Sequence, residues 1–297
     1  MTQGIRISVV IPNLHSPIVD QTIESVLLQQ TDLLFEVIVV GMDQWGLVEK
    51  YPEVRFIKTP TPVGAAEARN IGIQAAQGEW LFFIDSDCIA QPGWIETFAQ
   101  AFSEGWQVVG GGVQTPKSPF TRLAYNLSMF HAQLASQPKK TVLFLPTLNL
   151  AVQRDVIVAV GLLDEKLLRG QDVDWTARMT RAGFQLLFEP RAAILHLPPR
   201  QDVKTLKAYF FKSGYYMIQV RHRYPEIFHM PGVVNRGMTF RIFAPVIALL
   251  TTVKIVLKTK EVRQHIRTVP LIYQMKVAWC QGAAEALQSM GKGPNAH

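Results

Sequence analysis

An α/β fold built on a doubly wound, mostly parallel sheet is what this sequence predicts, and three observations carry it. Strand-like and helix-like segments alternate through the first 115 residues, and alternating βαβ units imply parallel strands. One strand, Leu81-Phe82-Phe83-Ile84, is apolar at four consecutive positions, as in strands covered on both faces. Two aspartates, Asp85 and Asp87, follow it directly, at the carboxyl edge where open α/β sheets bind ligands.

The elements read in order as follows. IRISVVIP is a strand, and SPIVDQTIESVLLQQ a helix with Ser16 as cap and Pro17 next to it. FEVIVVG and VRFIK are the second and third strands. VGAAEARNIGIQAAQG is an alanine-rich helix closed by Gly78. After the Asp-bearing strand, Gln91-Pro92-Gly93 turns the chain into a helix with Pro92 at its first position, and WQVVGGGV is another strand. Residues 116–142 are irregular and polar, although RLAYNLSMFHAQLA has helical spacing. VLFLPTLNLAVQ returns to strand character and RDVIVAVG is a short helix. QDVDWTARMTRAG is a helix closing at Gly183, and FQLLFEP and AAILHL are two strands. Composition changes past Pro198-Pro199, which divides the chain into a 1–200 domain and a helical 201–297 extension.

Bulk properties narrow the class. The 297 residues suffice for a large core. Two cysteines, Cys88 and Cys280, cannot build a disulfide framework, which fits a reducing, cytoplasmic compartment. The first residues read as a strand rather than a leader. The net charge of +7 is uneven: residues 1–199 hold 15 basic and 19 acidic side chains, whereas residues 200–268 hold 13 and 3. A basic cluster of this kind calls for an anionic partner. In it, IFAPVIALLTTVKIVL is apolar for 16 residues apart from Lys254. As a helix it spans about 24 Å, short of a hydrocarbon core of roughly 30 Å. Short apolar helices with basic flanks suit in-plane binding at an anionic inner membrane face. The aliphatic content argues against nucleic acid, and an ordinary helical cap on the first domain or a homodimer interface is the other use of these segments.

Asp85 and Asp87, one residue apart on a strand, point to the same side and repel unless a cation lies between them. Mg²⁺ or Mn²⁺ favours such oxygen ligands together with substrate phosphates. In GQDVDW, Asp172 and Asp174 diverge by roughly 200° once the turn is helical, so only one of them enters a site. Asp174 has Arg178 four residues on as an alternative partner.

SVVIP at 8–12, EVIVV at 36–40, GAAEARNIGIQAAQGEWLFFIDSDC at 64–88 and GLLDEKLLRGQDVDWTARMTRAGFQLLFEPRAAILH at 161–196 together resemble the family 2 inverting glycosyltransferases. The resemblance covers residues 5–200. It implies the GT-A fold, a nucleotide-diphospho-sugar transferase-like sheet flanked by helices, and a nucleotide-sugar donor. It also implies roles. Asp85 bears on the ribose and Asp87 binds the Mn²⁺ or Mg²⁺ on the diphosphate. Arg69 and Asn70 match the Ala-Arg-Asn helix start beside the nucleotide, with Glu67 or Glu79 as alternative partners for Arg69. Asp172 matches the general base, and His196 the strand-end histidine that supplies a metal ligand. Pro12 and Asn13 follow the first strand beside the donor, Gly111 lets the backbone pass close to the donor sugar, and Asp174 is held in reserve as a substrate-binding group. The implied acceptor is a surface glycan or a lipid-linked saccharide.

The departures are specific. Gly41 stands where the family commonly has a base-reading Asp, with Asp43 nearby, and Gln171 replaces the usual Glu before Asp172. IPNLHS replaces a Thr-Tyr-Asn pattern, and the Gln-x-x-Arg-Trp of processive synthases is missing. Two other readings share the paired aspartates: a nucleotidyltransferase, and an inactive sugar-nucleotide-binding scaffold.

Overall fold

The structure is a computed structural model that describes residues 4–199, 202–228 and 237–290. The chain divides into two units. One comprises the residues up to Gln114 together with Gln133–Leu197; the other comprises Thr115–Ala132 and the chain from Pro198 onward. The elements run β1 (Ile7–Leu14), α1 (Val19–Leu27), β2 (Phe35–Met42), β3 (Arg55–Lys58), α2 (Ala65–Ala75), β4 (Trp80–Ile84), β5 (Cys88–Ala90), α3 (Trp94–Ser103) and β6 (Val108–Gln114). They continue as α4 (Phe120–Met129), β7 (Lys140–Val142), β8 (Asn149–Gln153), α5 (Arg154–Val160), α6 (Gln171–Arg181) and β9 (Leu186–His196). The helices α7 (Val203–Arg223), α8 (Pro225–Phe228), α9 (Gly237–Lys258), α10 (Lys260–Gln264) and α11 (Val269–Met290) follow.

The first unit holds one sheet in the order β3-β2-β1-β4-β8-β6-β9-β5, with β7 on β9. From β3 to β4 all pairings are parallel. β8 is antiparallel to both β4 and β6, β6 and β9 run parallel, and β5 and β7 lie antiparallel to β9. The sheet is therefore mixed, and its parallel half carries the crossover helices.

β4 is the apolar run seen in the sequence, and its alternation serves two faces. Phe82 meets Trp94, Phe98 and Phe102 of α3 edge-to-face, with centroids 5.2–6.0 Å apart. Leu81 and Phe83 enter the other core layer, with Val10, Ile73, Trp175 and Met179. All five β4 residues are buried, and truncating Phe82 to Ala would cost about 3–5 kcal/mol.

Several local expectations are corrected. Asp85 and Asp87 do not extend the strand: β4 ends at Ile84, and Asp85-Ser86-Asp87 form the turn into β5. Ser16 does not cap α1; its hydroxyl donates to Ser86 O at 2.7 Å. Gly78 does not close α2, which ends at Ala75; a Cβ there would strike the β1 backbone at Ile7 and Ser8. Pro92 precedes α3 by two residues, and Gly93, with φ +78°, makes the turn. FQLLFEP and AAILHL are one strand, β9, in which the register against β6 shifts between Gly111 and Gly112. VLFLPTLNLAVQ is not one strand: it supplies the last residue of β7 and all of β8, with a loop between them.

In the second unit, α7 and α11 cross at small residues. A Cβ on Gly214 would strike the Trp279 carbonyl, and one on Gly282 the Phe211 carbonyl. α9 packs Phe240, Ala244 and Ala248 onto Cys280, Ala283, Ala284 and Leu287 of α11. Its 22 residues exceed the 16-residue apolar run and are long and apolar enough to cross a membrane. Length therefore does not exclude a span, contrary to the sequence estimate. Asp202 caps α7, accepting from Thr205 N at 2.7 Å.

Candidate active site

The site is built on the turn that follows β4. Asp85 N donates to Leu148 O at 3.3 Å, Cys88 N to Asp85 O at 3.0 Å, and Leu197 N to Asp87 O at 2.8 Å. With the Ser16–Ser86 bond, the backbone of the turn is tied to β9, to the loop before β8 and to the chain leaving β1.

Asp85 pairs with Arg69. Arg69 is 3% exposed and spends another N–H on Ala65 O at 3.2 Å, the first residue of its own helix. Neither Glu67 nor Glu79 is its partner; Glu79 pairs with Arg6 instead. The Arg69 Nε is buried with no hydrogen-bond partner, an unspent donor beside a carboxylate, which suits a phosphate or ribose oxygen.

Asp87 lies beside His196 because β5 and β9 are antiparallel with Cys88 opposite His196. His196 Nε2 is 3.6 Å from Asp87 Oδ1. Asp87, Cys88 and His196 each place a donor atom within 4.8 Å of the others. Cys88 is the member that sequence reasoning missed; its position next to Asp87 was the available signal. Burial, reinforced by Asp87 and Asp85, pushes its thiol well above the usual thiol range. The Asp87 carboxylate and the His196 imidazole suit Mn²⁺ or Mg²⁺ with phosphate and water completing the shell.

Asp172 sits in the first turn of α6, after Gly170 with φ +76°. Its carboxyl accepts from Val173 N at 2.8 Å. Burial raises its pKa; the Val173 N–H and the charge of Arg69 pull it back, and Asp85 pushes it up again. Asp172 keeps partial solvent access although protein surrounds it. Gln171 beside it has a buried Oε1 without a hydrogen-bond partner, an acceptor that a hydroxyl-bearing ligand can use.

Three clamps aim α6. Trp175 stacks edge-to-face on Phe83 of β4 at 5.6 Å and donates to Gly161 O at 2.8 Å. This couples the residue three after Asp172 to the residue two before Asp85. Asn70 grips the loop before α6, donating to Leu163 O (3.0 Å) and Glu165 Oε1 (2.7 Å) and accepting from Leu163 N (3.0 Å). Arg178 spans Asp174 (3.2 Å), Val160 O (2.5 Å) and Leu162 O (2.7 Å).

The geometry pairs Arg69 with Asp85 and sets Asp87 beside His196, and Asp172 feels the charges of Arg69 and Asp85. It assigns the other expected site residues to different work. Asp174 is buried and paired with Arg178, turned from Asp172 as the helical spacing requires. Asn70 spends its amide on the loop. Asn13 bonds Met42 O and Ser16 N, and Pro12 sits half-buried in β1. Gly111 is needed because a Cβ would strike Asn149 and the Ala192 carbonyl; that close neighbour is protein. Gly41, with φ +131°, lies against the Asn13 carbonyl, which explains why no Asp stands there. Asp43 is used by the Trp45 and Val48 amides.

Comparison with known proteins adds family evidence. A relative, the glycosyltransferase AglE of Haloferax volcanii, is 32% identical over 173 residues, 57% of this chain and 56% of that protein. A pre-mycofactocin glycosyltransferase of Mycobacterium tuberculosis is 28% identical over 153 residues, 48% of this chain and 32% of its own. The chain thus matches about half or less of the length of these curated relatives. Among solved structures, the Pyrobaculum calidifontis mannosyltransferase PcManGT in complex with GDP-Man and Mn²⁺ overlays with a TM-score of 0.59 at 15% identity, covering 92% of this chain and 86% of the other. GalNAc-T7 with UDP, GalNAc and Mn²⁺ gives 0.55 at 19% identity, covering 78% and 52%. The fold is that of the GT-A glycosyltransferases. The model of glycosyl transferase family 2 matches residues 8–160, more than half of the chain, and the protein belongs to that family.

Proposed function

We propose that the protein is a metal-dependent, inverting glycosyltransferase that moves a sugar from a nucleotide-sugar donor to a hydroxyl acceptor. The observation that carries this reading is the Asp85–Asp87 turn, which has the Arg69 cation and Asp172 associated with one aspartate and His196 with the other. Arg69, with its unspent Nε, and Asp85 would hold the nucleotide end of the donor. Asp87 and His196 would hold Mn²⁺ or Mg²⁺. Bound there, the cation would offset charge on the departing diphosphate.

Asp172 is the base. As the acceptor oxygen bonds to the anomeric carbon, its proton passes to the Asp172 carboxylate, and the bond from that carbon to the diphosphate oxygen breaks on the opposite side. One displacement inverts the anomeric centre, and no enzyme nucleophile is needed. The raised pKa of Asp172 makes it a better proton acceptor than an ordinary aspartate. Neighbours in complex with UDP, GDP-Man or UDP-GlcNAc support a nucleotide-sugar donor. The acceptor would be a surface glycan or a lipid-linked saccharide. The enzyme would work in the cytoplasm, peripheral to the inner membrane face, in keeping with the 13 basic side chains of residues 200–268.

The test is a screen of nucleotide-sugars with Mn²⁺, following products by mass and anomeric configuration by NMR. Release of nucleoside diphosphate with an inverted product fits the reading. Pyrophosphate release would assign a nucleotidyltransferase, a retained configuration would remove Asp172 as sole base, and full turnover in EDTA would remove the metal.

A further inference from the structure

α9 has three sides. Phe240, Ala244, Ala248, Thr252 and Ile255 are buried. Arg241 and Pro245 line a groove of about 410 Å³ with the polar Gln281 and Glu285 of α11. The third side carries Ile242, Val246, Leu249, Leu250, Val253 and Leu257, each between 46% and 70% exposed. At 100° per residue these six fall within an arc of about 100°, opposite the buried alanines. Met238 and Phe243, also exposed, extend its borders. A contiguous exposed apolar strip of this kind marks a surface that meets a partner or a membrane.

We propose that this strip lies flat on an anionic membrane leaflet, with α9 in the plane of the surface. The inference rests on the peripheral reading above and adds the docking surface and its orientation. Charge selects the occupant. Lys254 borders the strip, and Lys258, Lys260, Arg263 and Arg267 cluster at and beyond its C-terminal end. An apolar face with basic flanks matches acyl chains below and anionic headgroups beside. A second copy of the chain would bring these cations against their like. Crossing is opposed by packing: a spanning α9 would carry its partner α11 into the hydrocarbon, with Gln274, Lys276, Gln281 and Glu285, and buried ionisable groups there are costly.

The test uses the full chain and vesicles of equal parts phosphatidylglycerol and phosphatidylcholine. The parent chain binds them and is released by salt. The double variant Leu249→Glu/Leu250→Glu binds at least about tenfold more weakly, whereas Val158→Glu, at an exposed position on α5, binds like the parent. Circular dichroism and nucleotide-sugar binding stay unchanged in both. Orientation is read by a fluorophore on a cysteine placed at position 242, 250 or 257; Cys88 and Cys280 are buried and do not compete. An in-plane helix puts all three labels at one depth. A deep label at 250 with shallow ones at 242 and 257 means a spanning helix and overturns the orientation. Full binding by the double variant overturns the surface but leaves the peripheral reading intact. A parent that ignores these vesicles overturns both, and a dimer that the double variant dissolves would then identify the strip as a protein interface.

Discussion

The two units handle charge in opposite ways. In the sheet unit, ionic groups withdrawn from water meet opposite charges: Arg69 with Asp85, Asp174 with Arg178, and Glu189 with both Arg191 and Lys139. In the helical unit, Arg221 and Lys276 lean on rings instead, Arg221 at 4.8 Å from Trp279 and Lys276 at 5.6 Å from Phe210. The only hydrogen bond described for Lys276 goes to the Ser128 carbonyl. Pairing is specific, so in the sheet unit one substitution removes one function. An excess of like charge is additive, so the helical unit should respond gradually, to several substitutions or to pH.

The largest effect is expected at Asp87. Asp87→Asn should lower turnover by at least about 10³-fold, since it weakens the cation that offsets leaving-group charge, while the circular dichroism stays unchanged. Excess Mn²⁺ should restore part of the rate; a variant as active as the parent would remove Asp87 from the metal site.

Asp172→Asn should cut kcat by roughly 10² to 10⁴ with donor affinity nearly unchanged. It should also raise the melting temperature at neutral pH. A carboxylate whose folded pKa is raised stabilises the fold only while protonated, and that contribution is lost as pH rises through the folded value. Asparagine removes the penalty. The same raised pKa places the acid limb of the parent's pH–rate profile above that of an ordinary aspartate, and Arg69→Met, which removes a lowering influence, should move the limb higher still.

Asp174→Asn sharpens the comparison two residues away. It should cost about 2–3 kcal/mol of stability, as expected for loss of a charged hydrogen bond in the interior, with little change in kcat per folded molecule. If instead it abolishes turnover without destabilising the protein, the roles of the two aspartates are reversed.

The smallest effect belongs to Lys276. Burial, helped by Arg221, lowers its pKa to about 8. The folded state then holds fewer protons than the unfolded chain between about pH 8 and the ordinary lysine value near 10.4, so stability should rise with pH across that window. Lys276→Met should flatten this slope, as read by thermal melts at several pH values.

The sequence was most legible where a local pattern decides the structure. Four consecutive apolar residues located β4, because burial on both faces leaves no polar position. The divergence of Asp172 and Asp174 followed from helical geometry alone. Family resemblance pointed to Asp85, Asp87, Asp172 and His196; the fold pairs Asp85 with Arg69 and sets Asp87 beside His196, whereas Asp172 is linked to them only through the charges of Arg69 and Asp85. What stayed hidden depends on contacts between distant residues. Arg69 has carboxylates two and ten residues away along the chain, yet its partner is sixteen residues away, across the sheet edge. Gly111 read as room for a sugar, but Asn149 from β8 fills that room. Asn70 and Asn13 matched motif positions, and their amides hold loops that no linear pattern announces. The membership of α4 in the helical unit is invisible for the same reason, since its partners lie beyond residue 197.

The turn between β4 and β5 has a thermodynamic consequence. The carbonyls of Asp85, Ser86 and Asp87 each already accept a hydrogen bond, and the amides of Asp85 and Cys88 each donate one. Holding a residue in one backbone conformation costs about 1–2 kcal/mol of entropy, and here that loss is taken when the chain folds rather than when a ligand arrives. Binding should therefore slow hydrogen exchange little at the Asp85 and Cys88 amides, which are protected beforehand. Protection gained on binding should appear in side chains and bound water, so the entropy change of association reports on solvent more than on the polypeptide.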